Sequence, residues 1–356
     1  MELGIIGLPQ VGKRTLFSIL TGVRAEEAPE RSGIRYGTVM VRDPRVDALA
    51  ALYKPKRTKY AEFSIALAPD ITPNAARAAD WLEPLRQVDG YIHLVREFEN
   101  PSVYHIESSI NPRRDLSLVD TELLFADLDL VEKRLERMAK ERTKKDAGIK
   151  EKEKQVLEKC RAHLEAEQPL RSMSLGDEDR AVLHNLQLLT LKPVVVVVNT
   201  GRDSGEADAM FADWKAELET QPNTRTVILN AAIESELTEL DEQERREFMA
   251  DLGIAEPAVH VLSRAAFESL GLICFFTVGE DEVKAWPVRR NATAVEAAGR
   301  IHSDLERGFI RAEAIGYDEL MEAGTEEAAR KANLYRLKGK DYVVQDGDIL
   351  NIRFNV

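Results

Sequence analysis

Cysteine is nearly absent: Cys160 and Cys274 are the two in 356 residues. Two thiols cannot build a disulfide framework or a cysteine-rich metal site, which fits a reducing compartment. Long apolar runs are missing too. The longest, Val194 to Val198, is far too short to span a bilayer. No signal-peptide pattern leads the chain, since Met1 runs straight into a strand-like segment. These features point to a cytoplasmic protein with no membrane segment. Repeats and low-complexity tracts are also lacking. Positive charge is in deficit, with 49 Lys and Arg against 62 Asp and Glu for a net of −13. That argues against the whole chain being a nucleic-acid binder and leaves local basic patches open. What is present is ordinary for a globular chain: 44% hydrophobic residues, enough for a buried core. Its length suits about two or three domains.

The most informative stretch is Gly7 to Thr15, Gly-Leu-Pro-Gln-Val-Gly-Lys-Arg-Thr. Leu3-Gly4-Ile5-Ile6 before it reads as a buried strand, and Leu16 to Leu20 after it as a helix. Strand, glycine-rich turn and helix form the context of a phosphate-binding loop. Gly7 and Gly12 let the backbone turn tightly and approach a phosphate. The amides of Gln10, Val11, Gly12 and Lys13 would point inward at a helix N-terminus, where anions are favoured. Lys13 would reach the β- and γ-phosphates. The next slot calls for Ser or Thr to hold Mg²⁺, and it is Arg14. Thr15 remains available toward the α-phosphate. The competing reading is a Rossmann-like strand–helix turn with no nucleotide.

Strands and helices alternate through the N-terminal region, predicting a parallel sheet with helices on its faces. Strands are expected at Thr38–Val41, Glu62–Ala68 and Gly90–Val95, with helices at Arg45–Tyr53 and Ala75–Val88. From Thr121 the character changes. Leu124, Leu128, Val131, Leu135 and Met138 repeat every seven residues, and Val156, Cys160 and Leu164 resume the pattern after a break at Asp146-Ala147-Gly148. This predicts a projecting helical hairpin. Its tip is basic, with Lys140, Arg142, Lys144, Lys145, Lys150, Lys152 and Lys154 outnumbering nearby acids. A solvated helix face and a contact to RNA phosphates both account for such a tip. The sheet resumes with Val194–Val198 and Asn199 at its carboxyl end, where ligands bind in open α/β sheets. Val227–Leu229 is a further strand. Two hairpins, Ile273–Val278 with Val283–Val288 and Tyr342–Val344 with Ile349–Phe354, would flank a helix capped by Thr293. That describes a β-grasp module.

At full length the residues resemble the YchF, or Obg-like ATPase, family. The resemblance rests on the phosphate loop, on Asp43-Pro44-Arg45-Val46-Asp47-Ala48-Leu49, on Thr121-Glu122-Leu123 with Ala126-Asp127-Leu128-Asp129, and on Leu157-Glu158-Lys159-Cys160. Ile301 to Ala312 and Asp346-Gly347-Asp348 to Val356 complete it. It implies a Ras-like P-loop NTPase sheet interrupted by a coiled coil and followed by a β-grasp TGS domain. The expected divisions are residues 1–118, 119–185, 186–271 and 272–356. It further implies binding and hydrolysis of ATP in preference to GTP, and association with ribosomes.

The family's working parts carry over unevenly. Lys13 and the loop amides match, whereas the family's Mg²⁺-binding Ser is Arg14. The Asp-x-x-Gly segment is replaced by Ser64-Ile65-Ala66-Leu67-Ala68, and the glycine-rich switch is shortened to Pro69–Asn74. In the first switch, Ser32 is the one substitute for the family's Thr. The base-reading segment is Asn199-Thr200-Gly201-Arg202, which keeps the Asn and loses the acid. His105 matches a loop His placed to orient the attacking water. Losing the metal's anchors together makes Mg²⁺ doubtful as a cofactor and hydrolysis weak or lost. Arg14 then reads either as a guanidinium in the vacated metal position or as a surface cation. Two alternatives remain: a working ATPase with rearranged metal ligands, Thr15 and Asp70, and an interaction module without nucleotide.

Overall fold

In the computed structural model, which describes residues 1–31, 33–73, 79–140 and 147–355, the apolar N-terminal runs become neighbours in one sheet. The early strands are β1 (Glu2–Ile6), β2 (Glu30–Arg31), β3 (Ile34–Val41), β4 (Arg57–Lys59), β5 (Ala61–Leu67) and β6 (Gly90–Arg96). Later come β7 (Val194–Asn199), β8 (Thr224–Leu229), β9 (Leu272–Thr277), β10 (Glu282–Arg289), β11 (Phe309–Gly316), β12 (Arg336–Lys338) and β13 (Asp348–Phe354). The helices needed below are α1 (Lys13–Thr21), α2 (Pro44–Tyr53), α3 (Ala79–Gln87), α4 (Pro112–Lys140) and α5 (Ala147–Glu165). They are followed by α6 (Asp177–Leu183), α7 (Ser204–Glu219), α8 (Ala231–Glu239), α9 (Glu242–Asp251), α10 (Ala258–Ser269) and α11 (Ala294–Ile301). Contacts divide the chain into two units, Met1–Thr38 with Ser64–Ser269, and Val39–Phe63 with Leu270–Val356.

The first unit is built on a seven-stranded sheet in the order β2-β3-β5-β1-β6-β7-β8. β1 lies between β5 and β6 and is parallel to both, and β7 and β8 continue the parallel pairing. The valine run is buried along its whole length, as a strand covered on both faces requires. The expected seam also forms. Leu124, Leu128, Leu135 and Met138 of α4 pack on a core of Val131, Val156, Leu157, Cys160 and Leu164. Cys160 is therefore an apolar core residue, its thiol pushed up to about 11 by burial. Asp127, fully buried, anchors α4 to the entry of β7. Its carboxylate accepts from the backbone N–H groups of Leu189 (2.9 Å) and Thr190 (2.7 Å) and from the Thr190 hydroxyl (2.9 Å). At the basic tip, Arg142, Lys144 and Lys145 lie outside the described residues, as does the start of the helix expected from Ala75.

The second unit holds a six-stranded sheet, β12-β11-β13-β9-β10-β4, with α11 packed on it through Ala294, Ala297 and Ala298. Thr293 caps α11 in a capping box with Glu296. The β9–β10 hairpin forms as expected. The second expected hairpin does not. Val343 makes an isolated bridge to Thr293, and β13 pairs antiparallel with β11 and parallel with β9. β11 escaped the sequence pattern because its core-facing positions include the small residues Ala312 and Ala314.

Residues 39–63, expected with the N-terminal sheet, count with this second unit. β4 pairs in parallel with β10, although Arg57-Thr58-Lys59 is exposed and carries no apolar pattern. Arg45 supplies the stronger tie. Its guanidinium grips Asp43 (3.0 and 2.8 Å) and Asp346 (2.8 Å), and lies 5.1 Å from the centre of the Phe276 ring. Asp346 also accepts the Cys274 N–H at 2.9 Å. The Asp-Pro-Arg and Asp-Gly-Asp motifs thus serve one structural junction.

One core feature carries a measurable cost. His93, on β6 between Ile6 and Val196, is buried, and neither ring nitrogen finds a partner among the described residues. Burial, with Arg171 and Lys13 nearby, lowers its pKa from 6.5 to about 3. Between those values the unfolded chain binds a proton that the folded chain refuses. Stability therefore falls as pH drops below about 6.5, by about 1.4 kcal/mol per unit. His93→Leu should flatten that slope in urea unfolding measured between pH 7 and pH 5. An unchanged slope would assign the acid sensitivity to other groups.

Candidate phosphate-binding site

The loop between β1 and α1 has the backbone that its sequence demands. Gly7 has φ +146°, and a Cβ there would lie 2.4 Å from the Leu94 carbonyl oxygen. Gly12 has φ +100°, and a Cβ there would meet the Asn199 amide nitrogen at 2.5 Å. Both positions exclude a side chain by conformation and by space. Gln10 takes the left-handed region at φ +63°, an uncommon choice for a non-glycine residue. No side chain caps α1, so its first N–H groups are left for a ligand or solvent.

Asn199 holds this loop from the end of β7, with β6 lying between β7 and β1. Its side-chain N–H donates to the Val11 carbonyl (3.0 Å), and its side-chain oxygen accepts the Ala231 N–H (3.1 Å). The loop and the start of α8 are pinned together by one buried amide. Thr200 and Arg202, which follow Asn199, turn onto Glu97. Glu97 accepts the Thr200 hydroxyl (2.6 Å) and Arg202 Nε (3.0 Å), and Arg202 also reaches Glu206 (2.5 Å). Glu97 was not visible as a site residue in the sequence; its position just after β6 was the available signal.

Lys13 is nearly buried and uses all three ammonium protons. It donates to the carbonyls of Gly7 and Leu8, each at 2.6 Å, and to Asp70 Oδ1 at 2.7 Å. Burial lowers its pKa and the Asp70 carboxylate opposes that shift. Arg14 is 70% exposed, lies 3.4 Å from Glu26 and lines the cavity beside the loop. Thr15 is exposed. Around these groups lies a cavity of about 500 Å³, lined by Gln10, Gly12, Lys13, Arg14, Thr15, Arg35 and Asp70, among others. Arg35, on β3, is the lining residue the sequence reading missed. It lies 3.2 Å from Glu30 and donates to the Ala25 carbonyl. Ser32, the first-switch candidate, lies outside the described residues.

The donor set does not suit Mg²⁺, which asks for oxygen ligands in near-octahedral order. Gln10, Thr15 and Asp70 are the lining side chains that offer oxygens, one carboxylate among them, and Asp70 is engaged by Lys13. Among the described residues no three His, Cys, Asp or Glu groups converge. Lys13, Arg14 and Arg35 also line the space, each paired with a carboxylate, so the acids beside it are already engaged by side-chain cations.

His105 is locked in its loop. Its Nε2 lies 2.9 Å from Asp115 Oδ2, and its Nδ1 accepts the Glu107 N–H at 3.1 Å. The acceptor role of Nδ1 makes Nε2 the protonated nitrogen. Asp115, itself buried, is held by Arg114 as well (2.7 Å). Among the described residues no helix is long and apolar enough to cross a membrane.

The family model YchF-GTPase_C, described as a protein of unknown function, matches residues 272–355. The "Ribosome-binding ATPase YchF" of Bacillus subtilis is 38% identical over 363 residues, covering 99% of each chain. "Obg-like ATPase 1" of Oryza sativa subsp. japonica is 35% identical, covering all of this chain and 92% of its own length. The solved Schizosaccharomyces pombe YchF GTPase superposes with a TM-score of 0.84 at 30% identity, covering 99% of this chain and 97% of that one. A P-loop nucleotide-binding α/β fold with a helical insertion and a C-terminal domain is what they share with it, and on likeness along its whole length the chain belongs to the YchF family of Obg-like ATPases.

Proposed function

We propose that this chain binds ATP in preference to GTP at its phosphate loop, hydrolyses it slowly or not at all, and acts as a ribosome- or RNA-associated regulatory factor. The Lys13 ammonium carries the reading. Two loop carbonyls aim it, and its third proton already rests on an anion, the Asp70 carboxylate, where a phosphate oxygen would sit. Preference for ATP follows the relatives named as ATPases. It also suits a base-reading segment that has Arg202 where GTPases carry the guanine-gripping acid. Slow hydrolysis follows from the poor metal donor set and from a His105 whose two nitrogens are already engaged.

Ribosome association is carried over from the relatives' names. The helical hairpin and the C-terminal TGS-like unit are the candidate surfaces. At the tip, Lys140 and Lys154 face Glu136 and Glu158 at 3.9 and 3.8 Å, and these exposed pairs leave the cations largely available. A second reading, a working ATPase using Thr15 and Asp70 as metal ligands, draws on the fact that both line the cavity.

Equilibrium binding of a fluorescent ATP analogue, run beside a phosphate-release assay, separates these readings. The wild type should bind with background turnover, and Lys13→Ala should weaken binding by about 2–3 kcal/mol, the loss of charge-assisted hydrogen bonds. Turnover abolished by Lys13→Ala would establish the second reading. Absence of binding would leave an interaction module. In ribosome pelleting, reversing the charges of Lys140, Lys152 and Lys154 should reduce recovery, and unchanged recovery removes the tip from the account.

A further inference from the structure

We propose that Arg14 and Arg35 clasp the terminal phosphates of a nucleotide polyphosphate in this cavity, supplying the charge neutralisation that phosphate loops of usual composition draw from a divalent cation. The inference rests on the nucleotide-binding reading and goes beyond it. It names the residues, and it names the ligand's form as the metal-free polyphosphate anion.

The observation behind it is a pattern of paired charges. Each cation lining the cavity is held by one carboxylate: Lys13 by Asp70 at 2.7 Å, Arg14 by Glu26 at 3.4 Å, and Arg35 by Glu30 at 3.2 Å. The site is therefore neutral within itself, and a polyphosphate enters by exchange. Its oxygens replace three carboxylates, and no cation has to be brought from solution. The exchange is favourable for the arginines in particular. Glu26 and Glu30 are 63% and 49% exposed, so water takes them back readily on release. A guanidinium meets phosphate through parallel N–H donors, which a single long contact to a carboxylate does not match.

Arg35 is also positioned in advance. One of its terminal nitrogens donates to the Ala25 carbonyl while the other points to Glu30, and its side chain is only 23% exposed. Less side-chain freedom is lost on binding than for Arg14. Both displaced acids lie in the segment between α1 and β3, so the exchange removes two of that segment's ties to the arginines and leaves the Ala25 carbonyl on Arg35. Occupancy of the cavity is thereby coupled to the segment's contacts without a metal ion as intermediary.

The test is calorimetric titration of the full chain with ATP and with inorganic triphosphate, in EDTA and in excess magnesium. The wild type should bind both ligands in EDTA at least as tightly as in magnesium. Arg35→Gln should weaken binding in EDTA by about ten- to hundredfold. Arg35→Lys should recover part of that loss. Glu30→Gln, which removes the competing carboxylate, should tighten binding, a change that a merely structural role would not produce. Ligand-free melting temperatures identify any variant that has lost its fold. Wild-type binding that requires magnesium, an Arg35→Gln variant as tight as wild type in EDTA, or no tightening in Glu30→Gln overturns the inference. In those cases the nucleotide reading still stands if Lys13→Ala loses binding. A wild type that binds neither ligand in either condition overturns both.

Discussion

An ammonium group almost wholly removed from water must have each proton satisfied, and Lys13 meets that demand in two ways at once. The carbonyls of Gly7 and Leu8 are fixed by the backbone of the loop. They aim the ammonium but cannot neutralise it. Asp70 can, and it is a 56% exposed side chain beyond the end of β5. The desolvation that lowers the lysine's pKa is tolerable because a counter-charge sits against it. The fixed pair of acceptors defines a direction, and the third acceptor is a carboxylate on an exposed side chain. Gly7 and Gly12 follow from this arrangement, since any side chain at either position would displace the backbone that aims the lysine.

The same logic explains why an asparagine is kept where its acidic companion is gone. Asn199 joins the Val11 carbonyl to the Ala231 N–H, so its amide shapes the loop whatever base arrives. On the proposed reading the missing acid would have served recognition, and Arg202 in this segment closes on Glu97 and Glu206. A buried, doubly bonded amide is costly to remove, whereas a base contact is lost without harm to the fold.

How much of this was legible in the sequence depends on how local each cause is. The phosphate loop, the valine strand and the heptad seam are set by residues within one or two turns of each other, and each stands where the pattern placed it. The link of Arg45 to Asp346 crosses 301 residues, and β4 offers three exposed residues with no periodicity, so the allegiance of residues 39–63 could not be read. β11 hid behind alanines for the related reason that a strand signal depends on bulky apolar side chains. At the site, Arg35 and Glu97 were missed because neither lies in a motif. Their importance comes from loops that meet in space.

Catalysis of phosphoryl transfer is mainly positioning and charge, so a site can lose turnover and keep its ligand. Binding needs cations facing oxygens, and Lys13, Arg14 and Arg35 are present around the cavity. Turnover also needs a water aligned with the bond that breaks and a group free to orient it. His105 is not free in this arrangement: Asp115 holds one nitrogen and the Glu107 N–H the other. Releasing it would leave Asp115, nearly excluded from solvent, with Arg114 as its remaining side-chain partner among the described residues. That exchange is unfavourable in a way the surface exchanges at Glu26 and Glu30 are not, because a buried carboxylate has no water to replace what it loses. On the proposed reading, the arginines that would hold an anion are paired with exposed carboxylates, and the histidine that would turn it over is paired in the interior. Under the proposed function, such an arrangement favours retention of the ligand over its consumption.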